Sequence, residues 1–224
     1  MTKPWKDDDE LFSLARRTLM TALVGDAMDK LGLVHQFLPP YLKPLDDSMV
    51  IVGRALTVVE EDVSGEDPGR PLFGIMFEAL DDLKSNEVYI CSGASPRYAL
   101  WGEMMSTRAR KLGAAGAVVD GHSRDTLGIL RLNLPTFSRG RYAQDQGPRG
   151  QVVDFRVPLQ FGDVLIQPGD IIFGDLDGVC VVPQEAEEDV FTHALEKASR
   201  EKTLQKALES GMSTVEAFKM FGIM

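Results

Sequence analysis

The sequence predicts a single α/β domain that spans residues 1–224. A strand, a helix and a second strand follow one another between residues 87 and 120, which is typical of a crossover between parallel strands. Residues 151–183 are rich in β-forming residues between turns, and stretches of helical periodicity lie at both ends of the chain. The length of 224 residues and the apolar fraction of 44% fit one globular domain with its own core.

The N-terminal half is predicted to begin with two helices. Residues 10–31 favour helix, and Leu11 and Ala15 lie on one face at helical spacing. Thr21 is predicted to cap a second helix over residues 22–31. The elements predicted to follow are a strand over residues 49–60, a polar loop over 63–71, a helix over 72–83 and a strand over 87–91.

The C-terminal half continues the crossover and ends in helices. A helix is predicted over residues 103–112 and ends at Gly113. The apolar run over residues 117–120 is too short for a helix and is predicted to be a strand. The later predicted elements are buried strands over residues 171–173 and 179–182, a long helix over 184–210 and a last helix that starts with a capping box of Ser213 and Glu216.

Composition and charge favour some classes of protein over others. There are 24 Lys and Arg against 34 Asp and Glu, a net charge of −10, so we expect no role in binding nucleic acid. The chain lacks the run of about 18 apolar residues that a membrane span needs, and its N-terminus does not resemble a signal peptide. Cys91 and Cys180 indicate neither a disulfide framework nor a zinc site. These features predict a cytoplasmic protein.

One segment carries a candidate site. Arg124 and Asp125 follow a predicted buried strand, although an Arg-Asp pair taken alone is more often a surface ion pair. The preceding helix begins next to Gly102, and its first N–H groups are free to bind an anion. Carboxyl ends of parallel strands meet at one edge of a sheet, so we expect the two regions to converge. The predicted amide donors are those of Gly102, Glu103, Met104 and Met105.

Several ordered blocks give the sequence a resemblance to the RraA-like family, which includes 4-hydroxy-4-methyl-2-oxoglutarate aldolases, oxaloacetate decarboxylases and ribonuclease-regulator proteins. The most specific block is an acid followed after twenty residues by Arg-Asp, here Glu103 and Arg124-Asp125. The blocks are TALVGDAMDKLG (residues 21–32), GRALTVV (53–59), WGEMMSTRARKLGAAGAVVDGHSRD (101–125), LPTFSRG (134–140) and VLIQPGDIIFGDLDGVCVVP (164–183).

The resemblance implies a role for each residue of that block. Asp125 corresponds to the family's ligand of a divalent metal, Mg²⁺ or Mn²⁺, and Arg124 to the residue that contacts the pyruvyl group. The amides of residues 102–105 correspond to those that hold the substrate. Glu103 stands where the family has an Asp that reaches the metal through water, one methylene shorter. Glu201 is the candidate for a Glu that completes a neighbouring subunit's site.

The function implied is that of a metal-dependent (class II) carbon–carbon lyase acting on a pyruvyl-type 2-oxo acid. Metal and Arg124 would stabilise a pyruvate enolate, either after retro-aldol cleavage of 4-hydroxy-4-methyl-2-oxoglutarate or 4-carboxy-4-hydroxy-2-oxoadipate, or after oxaloacetate decarboxylation. Retro-aldol cleavage also needs a base for the C4 hydroxyl, and the candidate is a metal-bound water oriented by Glu103. The alternative is a non-catalytic regulator of ribonuclease activity that acts by binding protein.

The resemblance also implies an architecture and an assembly. We expect a layered α/β/β sandwich similar to the swivelling phosphohistidine-type domain, assembled as a homotrimer or homohexamer. The remaining polar residues are predicted to be structural. His122 is expected to be a surface residue, and Asp170, Asp175 and Asp177 to form turns beside glycines.

Overall fold

A computed structural model of the protein describes residues 3–64 and 69–222. The helices of this described part are α1 (Asp8–Thr18), α2 (Thr21–Lys30), α3 (Met76–Asp81), α4 (Glu103–Leu112), α5 (Thr126–Leu132), α6 (Glu187–Glu209) and α7 (Thr214–Phe221). The strands are β1 (Lys43–Pro44), β2 (Ile51–Asp62), β3 (Phe73–Gly74), β4 (Glu87–Ser92), β5 (Ala99–Trp101), β6 (Gly116–Val119), β7 (His122–Ser123), β8 (Thr136–Ser138), β9 (Gly150–Phe155), β10 (Leu159–Phe161), β11 (Val164–Ile166), β12 (Ile171–Asp175) and β13 (Gly178–Val182).

A mixed sheet of nine strands organises the described residues into an α/β fold. Its main path runs β1-β8-β6-β4-β2-β12-β13, while β9 pairs with both β2 and β3. Strands β2, β4, β6 and β8 are parallel, and β12 and β13 join them in antiparallel fashion. The predicted crossover is present, because β4 and β6 are parallel neighbours connected through α4.

Hydrophobic cores lie on both faces of this sheet. In β12, Ile171 and Phe173 contribute to the core that packs on α1, α2 and α6, whereas Ile172 contributes to the larger core. In β13, Cys180 and Val182 face the helices, with Val179 and Val181 in the larger core. This alternation is the period of two that a strand imposes on its side chains. The sheet is therefore covered on both sides, which explains its continuous apolar runs.

Several predicted element boundaries agree with the structure, and others do not. Helix α4 has the predicted bounds, and Ser213 and Glu216 form the predicted capping box. Thr21 is not a helix cap, because it lies inside α2 and its N–H donates to the Asp175 carboxylate over 2.8 Å. Asp175, a residue of the sheet, thus accepts the hydrogen bond of a free N–H group at the start of α2. The two residues are 154 positions apart in the sequence.

The predicted helix over residues 72–83 is wrong in its first four residues. Phe73 and Gly74 form a strand that pairs with β9, and only Met76–Asp81 is helical. Both strand residues have positive φ angles, 69° and 63°, which a helix does not allow. Tertiary pairing with β9 overrides the local preference for helix.

Both cysteines and the predicted turn residue Asp170 are buried in the described part of the chain. Cys91 and Cys180 are free and buried. Asp170 accepts hydrogen bonds from the N–H groups of Gln167 and Gln184, so it is a structural turn residue as predicted. No helix within residues 3–64 and 69–222 is long and apolar enough to cross a membrane.

Candidate active site

A cleft of about 330 Å³ opens between α3, α4, β5 and the segment that follows β7. The residues that line it are Phe73, Met76, Phe77, Leu80, Ala99, Leu100, Trp101, Gly102, Met104, Met105, Arg124, Asp125, Asp145 and Gln146. Five of the seven residues that the sequence predicts to belong to the site are among them.

The pairing of β5 with β7 brings the two candidate segments together. Trp101 lies opposite Ser123 in this parallel pair, and the Arg124 N–H donates to the Trp101 carbonyl over 2.9 Å. The residues that follow on each strand, Gly102 and Asp125, therefore meet at the same edge. A Cβ atom on Gly102 would lie 2.9 Å from Asp125 Oδ2, so any larger residue there would displace the carboxylate.

Asp125 faces the cleft without a short ion pair. Its backbone is left-handed, with φ 56° and ψ 35°, at the residue that starts α5. Its side chain is 43% exposed, and its contact with Arg124 Nε is a long one of 3.5 Å. Non-glycine residues rarely adopt this backbone conformation, and such residues are concentrated at functional sites. The Asp125 carboxylate is thus available for a ligand.

Arg124 is oriented by a second acid that the sequence interpretation missed. Its Nη1 donates to Asp145 Oδ1 over 2.7 Å, and Asp145 Oδ2 accepts from the N–H of Gly147. Asp145 lies in an irregular segment between the blocks at residues 134–140 and 164–183, and its neighbour Gln146 is buried in the cleft wall. The sequence offered no periodic or spacing signal for either residue.

The N-terminus of α4 provides amide donors at the cleft. Gly102 is its N-cap, has an extended backbone and makes no side-chain capping bond. The first helical bond runs from the Ser106 N–H to the Gly102 carbonyl at 3.0 Å, so the earlier amides have no acceptor within the helix. Gly102, Met104 and Met105 line the cleft, which places these amides beside Arg124 and Asp125.

Comparison with known proteins identifies the family. Residues 21–181 match the model of the RraA-like family, described as "Aldolase/RraA". The chain belongs to the RraA-like family. A Halalkalibacterium halodurans protein is 33% identical over 202 residues, 90% of each chain, and carries the provisional name 4-hydroxy-4-methyl-2-oxoglutarate aldolase.

Solved structures share the fold. An uncharacterized Pseudomonas syringae protein is 30% identical with a TM-score of 0.81, and the match covers 95% of this chain and 98% of that one. Streptomyces coelicolor RraAS2 is 25% identical with a TM-score of 0.76, covering 90% and 99%. It is described as an unusual member of the RNase ES inhibitor RraA protein family. The RraA-like fold therefore occurs in proteins named for two different roles.

Two other candidate residues of this RraA-like chain lie outside the cleft wall. The carboxylate of Glu103 packs against Gly128 in α5, where an added Cβ would lie 2.1–2.5 Å from its carboxyl atoms. Glu201 lies on α6, 3.6 Å from Lys197, and lines a separate groove near Met20. Neither residue is among those that line the cleft of the described chain.

The charged residues of the cleft suit a single hard cation. Arg124, Asp125 and Asp145 contribute +1 −1 −1, a sum of −1, which opposes an anionic ligand unless a cation is also present. The described residues contain no group of three His, Cys, Asp or Glu side chains that could hold a metal. A lone free carboxylate fits Mg²⁺, which commonly takes one or two protein carboxylates and fills its other positions with water and substrate oxygens.

His122 is less exposed than the sequence suggested. It is half-buried, its ring is tilted against Tyr142 with centroids 5.5 Å apart, and its Nδ1 is buried without a hydrogen bond. Burial, reinforced by the positive charge of Arg139, lowers the His122 pKa. His122 does not line the candidate cleft, and nothing in its surroundings suggests acid–base chemistry.

Proposed function

We propose that this RraA-like protein is a divalent-metal-dependent lyase that releases pyruvate from a 2-oxo acid by breaking its C3–C4 bond. The observation that supports it most strongly is the Asp125 carboxylate, which faces Gly102 and has only a long contact of 3.5 Å with Arg124, beside amides of α4 that have no acceptor within the helix. The provisional aldolase name of the Halalkalibacterium halodurans relative points in the same direction.

Each group has a distinct task in this proposal. The amides at the start of α4 bind the substrate carboxylate, because a helix N-terminus favours an anion. Asp125 holds Mg²⁺ or Mn²⁺, which when bound polarises the keto group as a Lewis acid. Arg124 stabilises the negative charge that grows on the keto oxygen, and Asp145 fixes the direction of its guanidinium. Charge stabilisation that increases toward the transition state raises the rate of the chemical step.

The position of Glu103 bears on which bond cleavage is easier for this chain. Decarboxylation of oxaloacetate releases CO₂, and the bonding electron pair passes into the pyruvate enolate without any base. Retro-aldol cleavage must also remove the proton of the C4 hydroxyl. Glu103 packs on Gly128 and does not line the cleft, and it stays the candidate for orienting the water that removes this proton.

Pyruvate release from oxaloacetate, with Mg²⁺ or with EDTA, tests the proposal. We expect turnover above the free-metal background with Mg²⁺ and none with EDTA. Asp125→Asn should abolish the metal-dependent part, while Asp177→Asn, on an exposed turn, should retain it. The circular dichroism spectra of both variants should match the wild type. Absence of metal-dependent turnover in the wild-type protein would contradict the proposal.

The alternative is a regulator that binds a ribonuclease without catalysis. It draws support from the similarity to RraAS2, which is described as belonging to a family of RNase ES inhibitors. Binding to a ribonuclease that persists in Asp125→Asn, in a protein without pyruvate-releasing activity, would favour this alternative.

A further inference from the structure

Buried polar atoms without a hydrogen-bond partner occur at the wall of the candidate cleft. The part of the chain that the structure describes contains five such side-chain atoms, and two of them belong to Trp101 and Gln146, which line the cleft. Such atoms are rare in folded proteins, and each calls for an explanation such as a catalytic role or a bound partner. The five atoms are Glu60 Oε1, Arg70 Nη1, Trp101 Nε1, His122 Nδ1 and Gln146 Nε2.

Gln146 is held close to Arg124 by its backbone. Its carbonyl accepts from the N–H groups of Arg149 and Gly150, at 2.6 Å and 2.9 Å. The residue before it, Asp145, accepts from Arg124 Nη1 over 2.7 Å. Gln146 is 3% exposed, and it nevertheless lines the cleft. A ligand that contacts the Arg124 guanidinium therefore lies close to Gln146.

The Gln146 amide also faces the buried carboxyl group of Glu60. A Cβ atom on Gly150 would lie 2.6 Å from Glu60 Oε1, so this carboxyl group lies against the turn that binds the Gln146 carbonyl. Burial, reinforced by the charge of Asp62, raises the Glu60 pKa to about 8, and Gln146 opposes the increase. The Glu60 carboxyl group is therefore protonated at neutral pH and carries one O–H donor.

The two facing groups are not bonded to each other. Glu60 Oε1 and Gln146 Nε2 both lack a hydrogen-bond partner among the described residues. A protonated carboxyl group is best paired through its O–H, and an amide nitrogen offers no acceptor for that proton. A half-turn of the amide about its last side-chain torsion, which is a soft one, brings the amide oxygen to the Glu60 O–H. The same turn directs Nε2 to the cleft side, where an oxygen atom of a ligand can accept from it.

The charged side chains of the cleft already have tasks at the pyruvyl end of the ligand. Arg124 is assigned to the keto oxygen and Asp125 to the metal, while Asp145 holds Arg124. Among the residues that line the described cleft, Trp101 and Gln146 remain as side-chain donors without an acceptor. The Trp101 ring is packed in the hydrophobic core, whereas the Gln146 amide can turn. A donor that serves no group of the pyruvyl end fits an oxygen atom further along the ligand.

We infer that Gln146 is a specificity-determining residue of the cleft. Glu60 holds its amide oxygen, and its Nε2 donates a hydrogen bond to an oxygen atom on C4 of the bound 2-oxo acid. C4 is the carbon that both proposed reactions separate from pyruvate. It belongs to the second carboxylate in oxaloacetate, and it carries the hydroxyl group in a 4-hydroxy-2-oxo acid. The inference rests on the proposed function for the pyruvyl end and adds the residue that recognises an oxygen atom beyond C3.

Calorimetric binding of 4-methoxy-2-oxobutyrate and 2-oxohexanoate in the presence of Mg²⁺ tests the inference without requiring turnover. The two ligands have chains of equal length and differ at one position, where an ether oxygen on C4 replaces a methylene group. Neither has a C4 hydroxyl group, so neither can undergo retro-aldol cleavage. We expect the wild-type protein to bind the ether about 10-fold more tightly at pH 7, because a buried donor that is left unpaired is costly. Equal affinities, or tighter binding of 2-oxohexanoate, would overturn the inference.

Substitution of two glutamines shows whether Gln146 causes the preference. Gln146→Leu should lower the ratio of the two affinities by about 10-fold, because it removes the donor. Gln160→Leu is the matched control, since Gln160 is exposed, lies outside the cleft and donates from Nε2 to the Gly162 carbonyl over 2.8 Å. It should keep the wild-type ratio. A Gln146→Leu protein that also keeps this ratio would contradict the inference.

The pH dependence of the same affinity ratio is a readout that a purely structural role of Gln146 would not change. Ionised Glu60 is an acceptor, so above pH 8 it draws Nε2 away from the ligand. At pH 9 about one tenth of Glu60 is protonated, so the wild-type ratio should fall by about 10-fold between pH 7 and pH 9. Glu60→Gln always offers a donor to the Gln146 oxygen and should keep its ratio. A wild-type ratio that does not change with pH would overturn the inference, even if Gln146→Leu fails to fold.

The titratable groups that face Glu60 keep their charge over this pH range. Asp62 on the same strand stays ionised, because its hydrogen bonds outweigh the effect of burial and lower its pKa to about 2. Tyr89 and Cys91 on β4 and Tyr98 just before β5 stay neutral, because burial raises the pKa of each. A change of the affinity ratio between pH 7 and pH 9 therefore reports the ionisation of Glu60.

Oxaloacetate turnover, measured on the same preparation, separates this inference from the proposed function. Metal-dependent turnover, together with an affinity ratio that Gln146→Leu does not change, would reject the inference and keep the lyase. The expected ratios without any turnover would support the binding role of Gln146 and reject the lyase. Failure to bind either ligand in the presence of Mg²⁺ would reject both.

Discussion

Arg124 is held between two acids, and its position determines what it can do. Asp145 accepts its Nη1 donor at 2.7 Å, while the contact with Asp125 is long, at 3.5 Å. The guanidinium is therefore fixed by one acid and leaves the other free. Its side chain is 36% exposed, so a ligand can reach it from the cleft.

Removal of the Arg124 guanidinium should slow the chemical step of the proposed reaction. We expect Arg124→Ala to lower kcat by about 10²–10³, the usual effect of losing a donor to a developing negative charge. Arg108→Ala is the control, because it removes an exposed arginine from an ion pair outside the cleft. Steady-state kinetics with oxaloacetate measure this effect. If Arg124→Ala has a raised KM and an unchanged kcat, Arg124 does not stabilise the enolate.

At this scale the sequence revealed only part of the candidate site. Arg124 and Asp125 were predicted because they follow a buried strand next to Gly121 in a recognisable block. Asp145 and Gln146 were not, because an irregular segment has no periodicity and only the folded chain brings it to the cleft. The role predicted for Glu103 stays a prediction, and its carboxylate packs on Gly128, which has no Cβ to exclude it.

The N-termini of α4 and α5 lie next to each other at the site. A glycine at each N-terminus leaves space for the carboxylate of an acid from the other helix start. Gly102 leaves room for the Asp125 carboxylate, and Gly128 leaves room for that of Glu103. Gly102 has φ −153°, an ordinary extended conformation, so alanine there is limited only by the contact with Asp125. The two glycines allow the acids to be displaced one at a time.

Matched alanine substitutions at these glycines separate the roles of the two acids. Gly102→Ala should displace Asp125 and reduce metal-dependent turnover by about 10-fold or more, because the added Cβ would lie 2.9 Å from the carboxylate. Gly128→Ala should move the flexible end of Glu103, retain turnover and stabilise α5 by up to about 1 kcal/mol. Oxaloacetate assays and thermal unfolding measure both effects. Loss of activity in Gly128→Ala with full activity in Gly102→Ala would reverse the assignment.

Predictions about elements succeeded where local patterns and tertiary contacts agree. Helix α4 and strands β12 and β13 have strong caps or apolar runs, and the structure contains them where they were expected. Residues 72–74 were assigned to a helix because pairing with β9 cannot be read from their own sequence. The cap of α2 was assigned to Thr21 for the same reason, since its true acceptor lies on Asp175.

At the scale of the whole molecule, the described residues include a buried acid, Glu60, that interacts with Gln146 of the cleft wall. Glu60 on β2 is 1% exposed, and burial, reinforced by the like charge of Asp62, raises its pKa from 4.5 to about 8, with Gln146 opposing the increase. Between pH 4.5 and 8 the unfolded chain loses this proton while the folded chain keeps it. The free energy of unfolding therefore falls as pH rises through this window and levels off above it.

Glu60→Gln should remove this pH dependence. We expect the variant to match the wild type near pH 4.5 and to exceed it in stability by at most about 5 kcal/mol at pH 8, from about 1.4 kcal/mol per pH unit. Glu61→Gln, at the exposed neighbouring position, should follow the wild type. Urea unfolding of the three proteins between pH 5 and 8 is the measurement, and parallel curves for wild type and Glu60→Gln would show that Glu60 is ionised in the folded state.

The fold class could be predicted because the order of strands and helices constrains the sheet. The pairing of β9 with both β2 and β3 could not be predicted. Mean composition also gave no sign of Glu60, whose burial depends on long-range packing. The layered arrangement similar to a phosphohistidine-type domain and the assembly as a trimer or hexamer stay predictions from the resemblance.

A crystal structure of the protein with Mn²⁺ and oxalate, which mimics the pyruvate enolate, tests the central claim most directly. We predict an anomalous Mn²⁺ peak within coordination distance of the Asp125 carboxylate, with oxalate against the α4 amides and Arg124. A peak at any other site, or oxalate bound away from Gly102, would contradict the account.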